Sequence, residues 1–342
     1  MSSHLTIHRP APCCRSCGSA RLEPVLDLGR TPLANALLEA EQAAAEERCY
    51  PLELAFCVEC TLLQILETVP PEELFGEYLY LSSWSDTMVA HAAELAEELV
   101  AERRLGPDDL IVEAASNDGY LLQHYQRAGV GVLGVEPARN IAEIAARERG
   151  IPTLCRFFGA GLAAELASQG RRANVFHAHN VLAHVADLNG FVQGIATILA
   201  DDGLAVIEAP YVRDLIDHCE FDTIYHEHLC YFSLTALDRL FAKHGLMIHD
   251  VRRVPIHGGS LRIYAAPTTA RETRRESVNA LLAEEEAAGV SRCEYYRDFA
   301  TRVEDVRRTL RTTLAELKAA GNRIVAYGAS AKGSTLLNFC GI

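Results

Sequence analysis

The sequence lacks the features that mark membrane, secreted and nucleic-acid-binding proteins. It contains no apolar run of the ~18 residues that cross a membrane as a helix, and residues 1–12 lack the apolar core of a signal peptide. Basic residues are scarce, since 32 Lys and Arg stand against 46 Asp and Glu, and the net charge is −14. A general nucleic-acid-binding surface is therefore disfavoured. We expect a cytoplasmic monomer with no membrane or nucleic-acid partner.

Disulfides are not expected either, because the cytoplasm keeps thiols reduced. The eleven cysteines then indicate metal binding and isolated buried thiols. Cys14 and Cys17 form one C-x-x-C pair, and Cys57 and Cys60 form a second. Two such pairs supply four thiolates, the ligand set of tetrahedral Zn²⁺. A redox dithiol or unrelated core cysteines are the alternatives, and Cys13 could compete with Cys14 as a ligand.

From residue 110 to about 264 the sequence alternates strand and helix patterns, which is typical of a doubly wound α/β sheet. The predicted strands are 110–114, 131–135, 174–178, 203–208, 247–254 and one near 261–265. The predicted helices are 119–128, 137–148, 160–169, 188–200 and 233–244, with a longer one before them at 85–104. Ligands of such a sheet bind at the carboxyl edge of its strands.

The first strand of this region predicts a cofactor site. Residues 110–114 run into a turn of small and polar residues, and a helix follows. Such a turn offers backbone N–H groups and a helix N-terminus to a ligand. The next predicted strand is followed by Glu136, and an acid at this place commonly accepts hydrogen bonds from a ribose diol.

Two nucleotide-type cofactors fit this layout, and the glycines separate them. A dinucleotide site needs G-x-G-x-x-G, but Ala115 and Asn117 stand where glycines are required, and Gly119 alone remains. S-adenosylmethionine has no phosphate and does not need that close backbone approach, and Glu113 suits its cationic amino-acid part. We therefore predict S-adenosylmethionine. NAD, or an ordinary βαβ turn without a ligand, is the alternative.

Later strand ends add two cofactor residues. Phe158 follows Phe157 and could flank an adenine ring, although two adjacent Phe are more often core residues. Asn180 follows the strand at 174–178, beside the predicted cofactor. The full set of predicted cofactor-binding residues is Glu113, Ser116, Asn117, Gly119, Glu136, Phe158 and Asn180.

The densest chemical cluster is F-D-T-I-Y-H-E-H, residues 221–228. Two imidazoles, a carboxylate and a phenol in four residues are costly to bury without a function. The His-x-His pair could chelate a metal, or one imidazole could act as a general base that Glu or Tyr orients. A surface loop is the plain alternative.

Two further segments carry polar side chains of open function. Residues 78–85, Y-L-Y-L-S-S-W-S, form either a packed connector or a lid over a substrate. Residues 257–260, H-G-G-S, form either a backbone nest for an anion or a hairpin turn.

Taken together, these motifs resemble the sugar C-methyltransferase family. The matching pieces run in order along nearly the whole chain, and together they are highly specific. They are C-R-S-C-G (14–18), L-D-L-G-R-T-P-L-A-N (26–35), C-V-E-C (57–60), Y-L-Y-L-S-S (78–83), V-E-A-A-S-N-D-G (112–119), G-V-E-P-A (134–138), N-V-L-A-H-V (180–185), I-Y-H-E-H (224–228), H-G-G-S-L-R (257–262) and Y-G-A-S-A-K-G (327–333). Family members use S-adenosylmethionine to methylate C3 of nucleotide-linked 4-keto-deoxysugars in antibiotic sugar biosynthesis.

The resemblance implies an architecture of three parts. We place a small zinc-binding domain at 1–72 and a class I methyltransferase domain, with a doubly wound sheet, at 73–270. Residues 271–342 would form a helical linker and a C-terminal Rossmann-like segment. In that segment 323–333 predicts a strand, a tight turn and a helix start. One strand and one helix cannot bury both faces of a sheet, so we expect this segment to be truncated.

The resemblance also implies roles for individual residues. His228 matches the catalytic base of the family. The residues that match its active-site partners are Tyr225, Glu227, His184 and Tyr78. The residues that we predict to bind the nucleotide-linked keto-deoxysugar are Tyr80, His257 and Lys332, the last through a phosphate.

The implied reaction agrees with the chemistry of these side chains. A hydrogen on a carbon beside a ketone is acidic because the enolate spreads its charge onto oxygen. His228 would remove this proton, a phenol or imidazole would hydrogen-bond the oxyanion, and the enolate carbon would attack the methyl group of the cofactor. The alternatives are a methyltransferase acting on O or N of another small metabolite, and a non-catalytic cofactor-binding module.

Overall fold

The structure is a computed structural model that describes residues 12–42, 47–75, 80–328 and 331–342. Tyr78, which the sequence predicts as a catalytic residue, lies outside the described residues. The described strands form two sheets, one of four strands near the N-terminus and one of seven strands in the centre.

The smaller sheet is antiparallel and includes one strand from the central region. Its order is β1-β2-β3-β9, with the strands β1 (Leu22–Thr31), β2 (Tyr50–Cys57), β3 (Leu63–Ile65) and β9 (Cys230–Tyr231). Leu52, Leu54 and Phe56 alternate along β2 and are all buried, because successive side chains of a strand point to opposite faces. The smaller sheet is therefore completed by a strand that lies about 170 residues further along the chain.

The central sheet has the order β10-β11-β8-β7-β4-β5-β6. Its strands are β4 (Leu110–Ala114), β5 (Gly131–Val135), β6 (Thr153–Leu154), β7 (Ala173–His179), β8 (Leu199–Pro210), β10 (Leu246–Val254) and β11 (Ser260–Pro267). Neighbours from β6 to β8 are parallel, whereas β11 is antiparallel to both β8 and β10. The predicted doubly wound sheet is confirmed. Its switch point lies between β4 and β7, where such sheets bind ligands.

Helices cover the sheet and form the C-terminal region. They are α1 (Pro71–Phe75), α2 (Asp86–Arg103), α3 (Leu122–Arg127), α4 (Arg139–Arg149), α5 (Ala160–Ser168), α6 (Leu188–Ile198), α7 (Val212–His218), α8 (Leu234–Lys243), α9 (Glu276–Ala288), α10 (Phe299–Ala319) and α11 (Ala331–Cys340). Single 3₁₀ turns lie at Ala40–Gln42, Ser82–Trp84, Leu182–His184, Phe221–Thr223 and Cys293–Tyr296. No helix in the described part of the chain is both long enough and apolar enough to span a bilayer.

Polar side chains cap several of these helices. The Ser85 side chain accepts a hydrogen bond from the Met88 N–H, and Asp187 does the same for Gly190 at the start of α6. Each bond satisfies an N–H group that has no partner inside the helix. The predicted helix at 119–128 begins later, at Leu122, because the residues before it form the turn that follows β4.

The C-terminal segment differs from the prediction in one element. The strand predicted from Arg323 is wrong, because residues 322–328 form no strand and are exposed, with Val325 77% exposed. A strand needs a hydrogen-bonded neighbour, and no described strand pairs with this segment. The predicted helix does form, as α11. It packs on the 3₁₀ turn at Phe221–Thr223, where the Phe339 and Phe221 ring centroids are 5.3 Å apart.

Candidate active site and metal centre

A cavity of about 1160 Å³ opens at the carboxyl edge of the central sheet. Its walls come from the ends of β4, β5, β7 and β8, residues 33–37 of the N-terminal region, the loop at 220–228, the β10–β11 hairpin and α11. Asn117, in the turn after β4, and His228 line this same cavity. A single small molecule could therefore contact both of them.

The turn after β4 is held by the acid at the end of β5. Glu136 accepts hydrogen bonds from the Asn117 N–H (3.0 Å) and from the Ala138 N–H (2.9 Å). Burial raises the pKa of Glu136 to about 7, although these two backbone bonds act to lower it. The Asn117 side chain donates to the Tyr80 carbonyl (3.1 Å) and accepts from the Ser82 N–H (2.8 Å). Asn117 thus ties the segment at 80–82 to the predicted cofactor site.

Three of the predicted cofactor residues lie behind the cavity wall. Glu113 and Ser116 are buried, and neither they nor Gly119 line the cavity. Burial, with Glu136 and Asp118 nearby, raises the pKa of Glu113 well above its ordinary range, which disfavours the charged form that a cationic ligand would need. Contacts between these three residues and the cofactor remain predictions, since none of the three lines the cavity in this structure.

Gly119 has a packing role that its conformation explains. Its φ is +77°, and an added Cβ would lie 2.8 Å from Cγ1 of the buried Ile151. Only glycine fits this turn without strain or overlap. The sequence predicts Gly119 as a cofactor-binding residue, whereas the structure explains the glycine by its close approach to a neighbouring side chain.

The other predicted cofactor residues, Asn117, Glu136, Phe158 and Asn180, do line the cavity. Phe157 is 48% exposed beside it, and Phe158 packs on Phe176 and Phe191 at centroid distances of 4.8 and 5.3 Å. Phe158 is therefore packed in the core on one side and lines the cavity on the other, and its contact with an adenine ring stays a prediction. The Oδ1 atom of Asn180 is buried without a hydrogen-bond partner among the described residues. An acid at the end of β5, an aromatic wall and this amide oxygen fit an adenosine-type ligand.

The loop at 224–228 holds an imidazole in one defined tautomer. His228 Nδ1 lies 2.8 Å from the Thr223 carbonyl oxygen, and Nε2 lies 3.0 Å from the Tyr225 hydroxyl oxygen. A carbonyl can only accept, so Nδ1 carries the proton and Nε2 accepts from the Tyr225 hydroxyl. Burial, with His184 as a second cause, lowers the pKa of His228 well below its ordinary range. The ring is neutral near pH 7 and presents Nε2 as a base.

His184 reaches the same place from another strand end. It closes the 3₁₀ turn that follows β7, and its ring centroid lies 4.7 Å from that of His228. Burial lowers the pKa of His184 to about 4. Two neutral imidazoles therefore meet edge to face at the wall of the cavity.

The other two side chains of this loop point in different directions. Glu227 lines the cavity and is only 4% exposed, and its Oε1 accepts from the Asn35 side chain at 2.6 Å. His226 points away and lies 3.0 Å from the Pro51 carbonyl oxygen through Nε2. Among the described residues, the four cysteines below are the one set arranged as metal ligands. The metal reading of His-x-His is therefore not supported.

The predicted substrate residues lie around the opening. Tyr80, His257 and Lys332 all line the cavity, from the segment before α2, the β10–β11 hairpin and the first turn of α11. The hairpin reading of residues 257–260 is confirmed, because they connect two paired antiparallel strands. Lys332 lowers the pKa of Glu220 and of Asp222, although burial raises the pKa of both overall.

Sequence reasoning missed Asn35 as a site residue. It lies 192 positions before Glu227, and nothing in its immediate neighbours predicts an acidic partner. Its one sequence signal is its place at the end of the motif at 26–35. His179 was also missed. It lines the cavity, and its Nδ1 lies 3.2 Å from the buried Glu208, which pairs with Arg262 as well.

The four cysteines of the two knuckles converge. Their Sγ atoms all lie within 4.8 Å of one another, with 3.3 Å between Cys14 and Cys60 and 3.5 Å between Cys17 and Cys57. Tetrahedral Zn²⁺ with Zn–S bonds of 2.3 Å places its sulfurs about 3.8 Å apart. Each short pair joins one knuckle to the other, whereas a redox C-x-x-C dithiol pairs within its motif. Cys13 is exposed and outside the cluster.

The charge state of this cluster also suits a metal. A hydrogen bond from Cys14 lowers the pKa of Cys60 to about 5, so that one sulfur is a thiolate near pH 7. A thiolate is the form that binds Zn²⁺. The donor set, its spacing and its charge therefore fit a structural zinc ion.

Three family models match consecutive parts of the chain. A zinc binding domain matches residues 14–75, a methyltransferase domain matches residues 88–251, and a C-methyltransferase C-terminal domain matches residues 255–342. Together with the seven-stranded sheet, they define an S-adenosylmethionine-dependent methyltransferase of the class I fold with a zinc-binding region. Its cofactors are S-adenosylmethionine and Zn²⁺.

A curated relative narrows the class. The chain is 38% identical over 336 residues to "C-methyltransferase NovU" of Streptomyces niveus. The match covers 98% of this chain and 80% of that protein. The chain therefore belongs to this family of C-methyltransferases.

The solved structures that match part of the chain include a methyltransferase with bound SAM or SAH. Magnesium protoporphyrin IX methyltransferase of Synechocystis PCC 6803 with bound SAM is 14% identical, at a TM-score of 0.41, over 57% of this chain and 88% of that chain. The same enzyme with bound SAH is 16% identical, at a TM-score of 0.43, over 57% of this chain and 92% of that chain.

Proposed function

We propose that this C-methyltransferase removes a proton from C3, next to the 4-keto group of a nucleotide-linked deoxysugar, and methylates the resulting enolate. The observation that carries the proposal is the His228 imidazole, whose Nε2 is the basic nitrogen, in the wall of the cavity that Asn117 and Glu136 also line. Transfer of a methyl group to carbon requires a carbon nucleophile, and removal of a proton beside a ketone provides one as the enolate.

The bond of Nδ1–H to the Thr223 carbonyl prepares His228 for this step. It keeps the proton off Nε2, and after proton transfer it stabilises the imidazolium that forms. Burial makes the His228 imidazole a weak base, because it disfavours the imidazolium. The negative charge that forms on the enolate oxygen beside the ring would stabilise this imidazolium. A bound substrate would take the place of the Tyr225 hydroxyl at Nε2, and that hydroxyl would then donate to the oxyanion.

Bound S-adenosylmethionine supplies an electrophilic methyl group. Asn117, Glu136, Phe158 and Asn180 are the residues that we propose to hold it, since all four line the cavity. We assign the space beside His228 to the sugar and its nucleotide, with His257 at the wall and the Lys332 ammonium group near the phosphates. Tyr80 would lie at the border with the cofactor, because its carbonyl accepts from the Asn117 side chain. We keep the predicted domain boundaries at 72 and 270, and the cytoplasm as the compartment, where the cysteines stay reduced.

The test is turnover of the purified protein with S-adenosylmethionine and a panel of 4-keto nucleotide sugars. Product mass should increase by one methyl group. In heavy water without S-adenosylmethionine, the C3 hydrogen of the accepted sugar should exchange for deuterium. A new methyl group on oxygen or nitrogen, without such exchange, would indicate an O- or N-methyltransferase, and no methylation of any keto sugar would overturn the substrate class.

A further inference from the structure

The loop with the proposed base is bound into the sheet of the zinc region. Directly after His228, the Leu229 carbonyl accepts from the Ile65 N–H at 3.0 Å, and β9 then pairs with β3. On the other side, the Leu229 N–H donates to the Ala183 carbonyl at 2.7 Å. The loop is therefore held between the zinc region and the central sheet, and a shift of either one would move it.

Within this loop, one side-chain bond from the zinc region reaches the cavity. The Asn35 Nδ2 group donates to Glu227 Oε1 at 2.6 Å, and both residues line the cavity. His226, the preceding residue, instead bonds to the Pro51 carbonyl of β2 and does not line the cavity. Asn35 thus contacts a carboxylate that stands next to the proposed base in the chain.

We propose that Asn35 is a positioning residue. Its amide, which comes from the zinc region, holds the Glu227 carboxylate in place so that this carboxylate can bind a hydroxyl group of the substrate beside His228. The inference rests on the proposed function, since a sugar presents such hydroxyl groups. A carboxylate held at one oxygen keeps lone pairs on the other, and a hydrogen bond to an ionised acceptor is strong and directional.

The charge of Glu227 depends on this bond. Burial raises the pKa of Glu227, and the Asn35 amide acts in the opposite direction. The titratable groups that line the cavity near the loop or act on its histidines are Glu67, Glu72, Glu73, His184, Glu220, Tyr225, His257 and Lys332. Burial and the Asn35 amide, not these groups, are the causes of the shift. Without Asn35, the pKa of Glu227 should rise. As the pH falls, the Glu227 carboxylate should then become protonated, and cease to be a charged acceptor, at a higher pH than in the wild-type protein.

The experiment measures the titration of Glu227 and the pH profile of turnover in the full chain. Glutamate is labelled with ¹³C, and Glu227→Gln assigns the Glu227 signal. In Asn35→Ala we expect the Glu227 titration to move to higher pH. We expect kcat/KM at pH 7 to fall by roughly 10-fold to 100-fold, as for loss of a hydrogen bond to a charged group, and to recover as the pH rises. Glu227→Gln should not recover at any pH.

Asn189→Ala is the matched control. The Asn189 amide also bridges the two regions, since its Nδ2 donates to the Arg15 and Ser16 carbonyls at 2.7 and 3.0 Å, but it does not line the cavity. This variant should leave the Glu227 titration and the pH profile unchanged. Asn35→Asp keeps the shape of the side chain and replaces the donor by an acid, so it should shift the titration further than Asn35→Ala does.

An unshifted Glu227 titration in both Asn35 variants would overturn the proposal. So would a loss of turnover that high pH does not recover, because that is the result of a purely structural role. If the wild-type protein methylates no keto sugar and the titration still shifts, the positioning by Asn35 stands and the proposed substrate fails.

Discussion

The two ends of the cavity are built in different ways. The proposed cofactor end is local, because the turn after β4 and the acid after β5 lie within 25 residues and are joined by the hydrogen bond from the Asn117 N–H to the Glu136 carboxylate. The proposed substrate end collects side chains from distant segments, among them Asn35, the loop at 224–228, His257 and Lys332. The first end needs only the central sheet. The second also needs the zinc region and the C-terminal helix in place, so the two ends should fail separately.

The largest effect that we expect comes from His228→Asn. Turnover should fall by about 10²–10⁴-fold because the general base is lost, whereas affinity for S-adenosylmethionine should remain. Product mass gives the turnover, and calorimetry gives the affinity. His218→Asn, at an exposed position outside the cavity, is the control. Near-wild-type turnover of the His228 variant would remove this residue from the role of base.

Loss of zinc should affect the substrate end alone. In Cys57→Ser we expect the zinc content to fall and turnover to drop by roughly 10²-fold, because the loop at 224–231 loses its support and the base is misplaced. Calorimetry should find affinity for S-adenosylmethionine within a few-fold of wild type. Cys13→Ser should keep its zinc, since Cys13 is outside the cluster. Equal loss of cofactor binding and turnover would contradict the separation of the two ends.

The local end can be disturbed through its packing. Gly119→Ala should destabilise the protein by about 1–3 kcal/mol, because the new Cβ meets Ile151 and φ is positive. Gly129→Ala is matched, since Gly129 has φ of +80° and no atom within 4 Å of an added Cβ. The difference between the two variants in chemical denaturation isolates the overlap. Equal losses would show that the contact with Ile151 costs nothing.

The smallest effect should be a pH dependence of cofactor affinity. The pKa of Glu136 is about 7, so its carboxylate is charged above pH 7 and becomes neutral as the pH falls through this value. Affinity for S-adenosylmethionine should then weaken by up to roughly 10-fold toward acid pH, through loss of a charged acceptor. Calorimetry at several pH values tests this, and Glu136→Gln should remove the dependence. A wild-type affinity that stays constant between pH 6 and 8 would exclude Glu136 as the acceptor.

Much of the fold could be predicted because the central sheet leaves strong local patterns. Two strands have the predicted bounds, 110–114 and 131–135, since buried parallel strands need short continuous apolar runs between turns. The strand predicted from Arg323 has a similar apolar pattern, but no neighbouring strand pairs with it in the described part of the chain. A local pattern gives the tendency to form a strand, whereas pairing depends on what lies beside it.

The sequence by itself determined the four thiols as a zinc site, because that prediction depends on residue type and short spacing. It also singled out the turn after β4 and the cluster at 224–228 as candidates, and the family resemblance pointed to His228 within that cluster. Only the tertiary structure decided which side chains face the cavity. It turned Glu113 and His226 away from the cavity and brought Asn35 to Glu227 across 192 positions. The direction of a side chain and contacts between distant segments follow from packing, which no local pattern encodes.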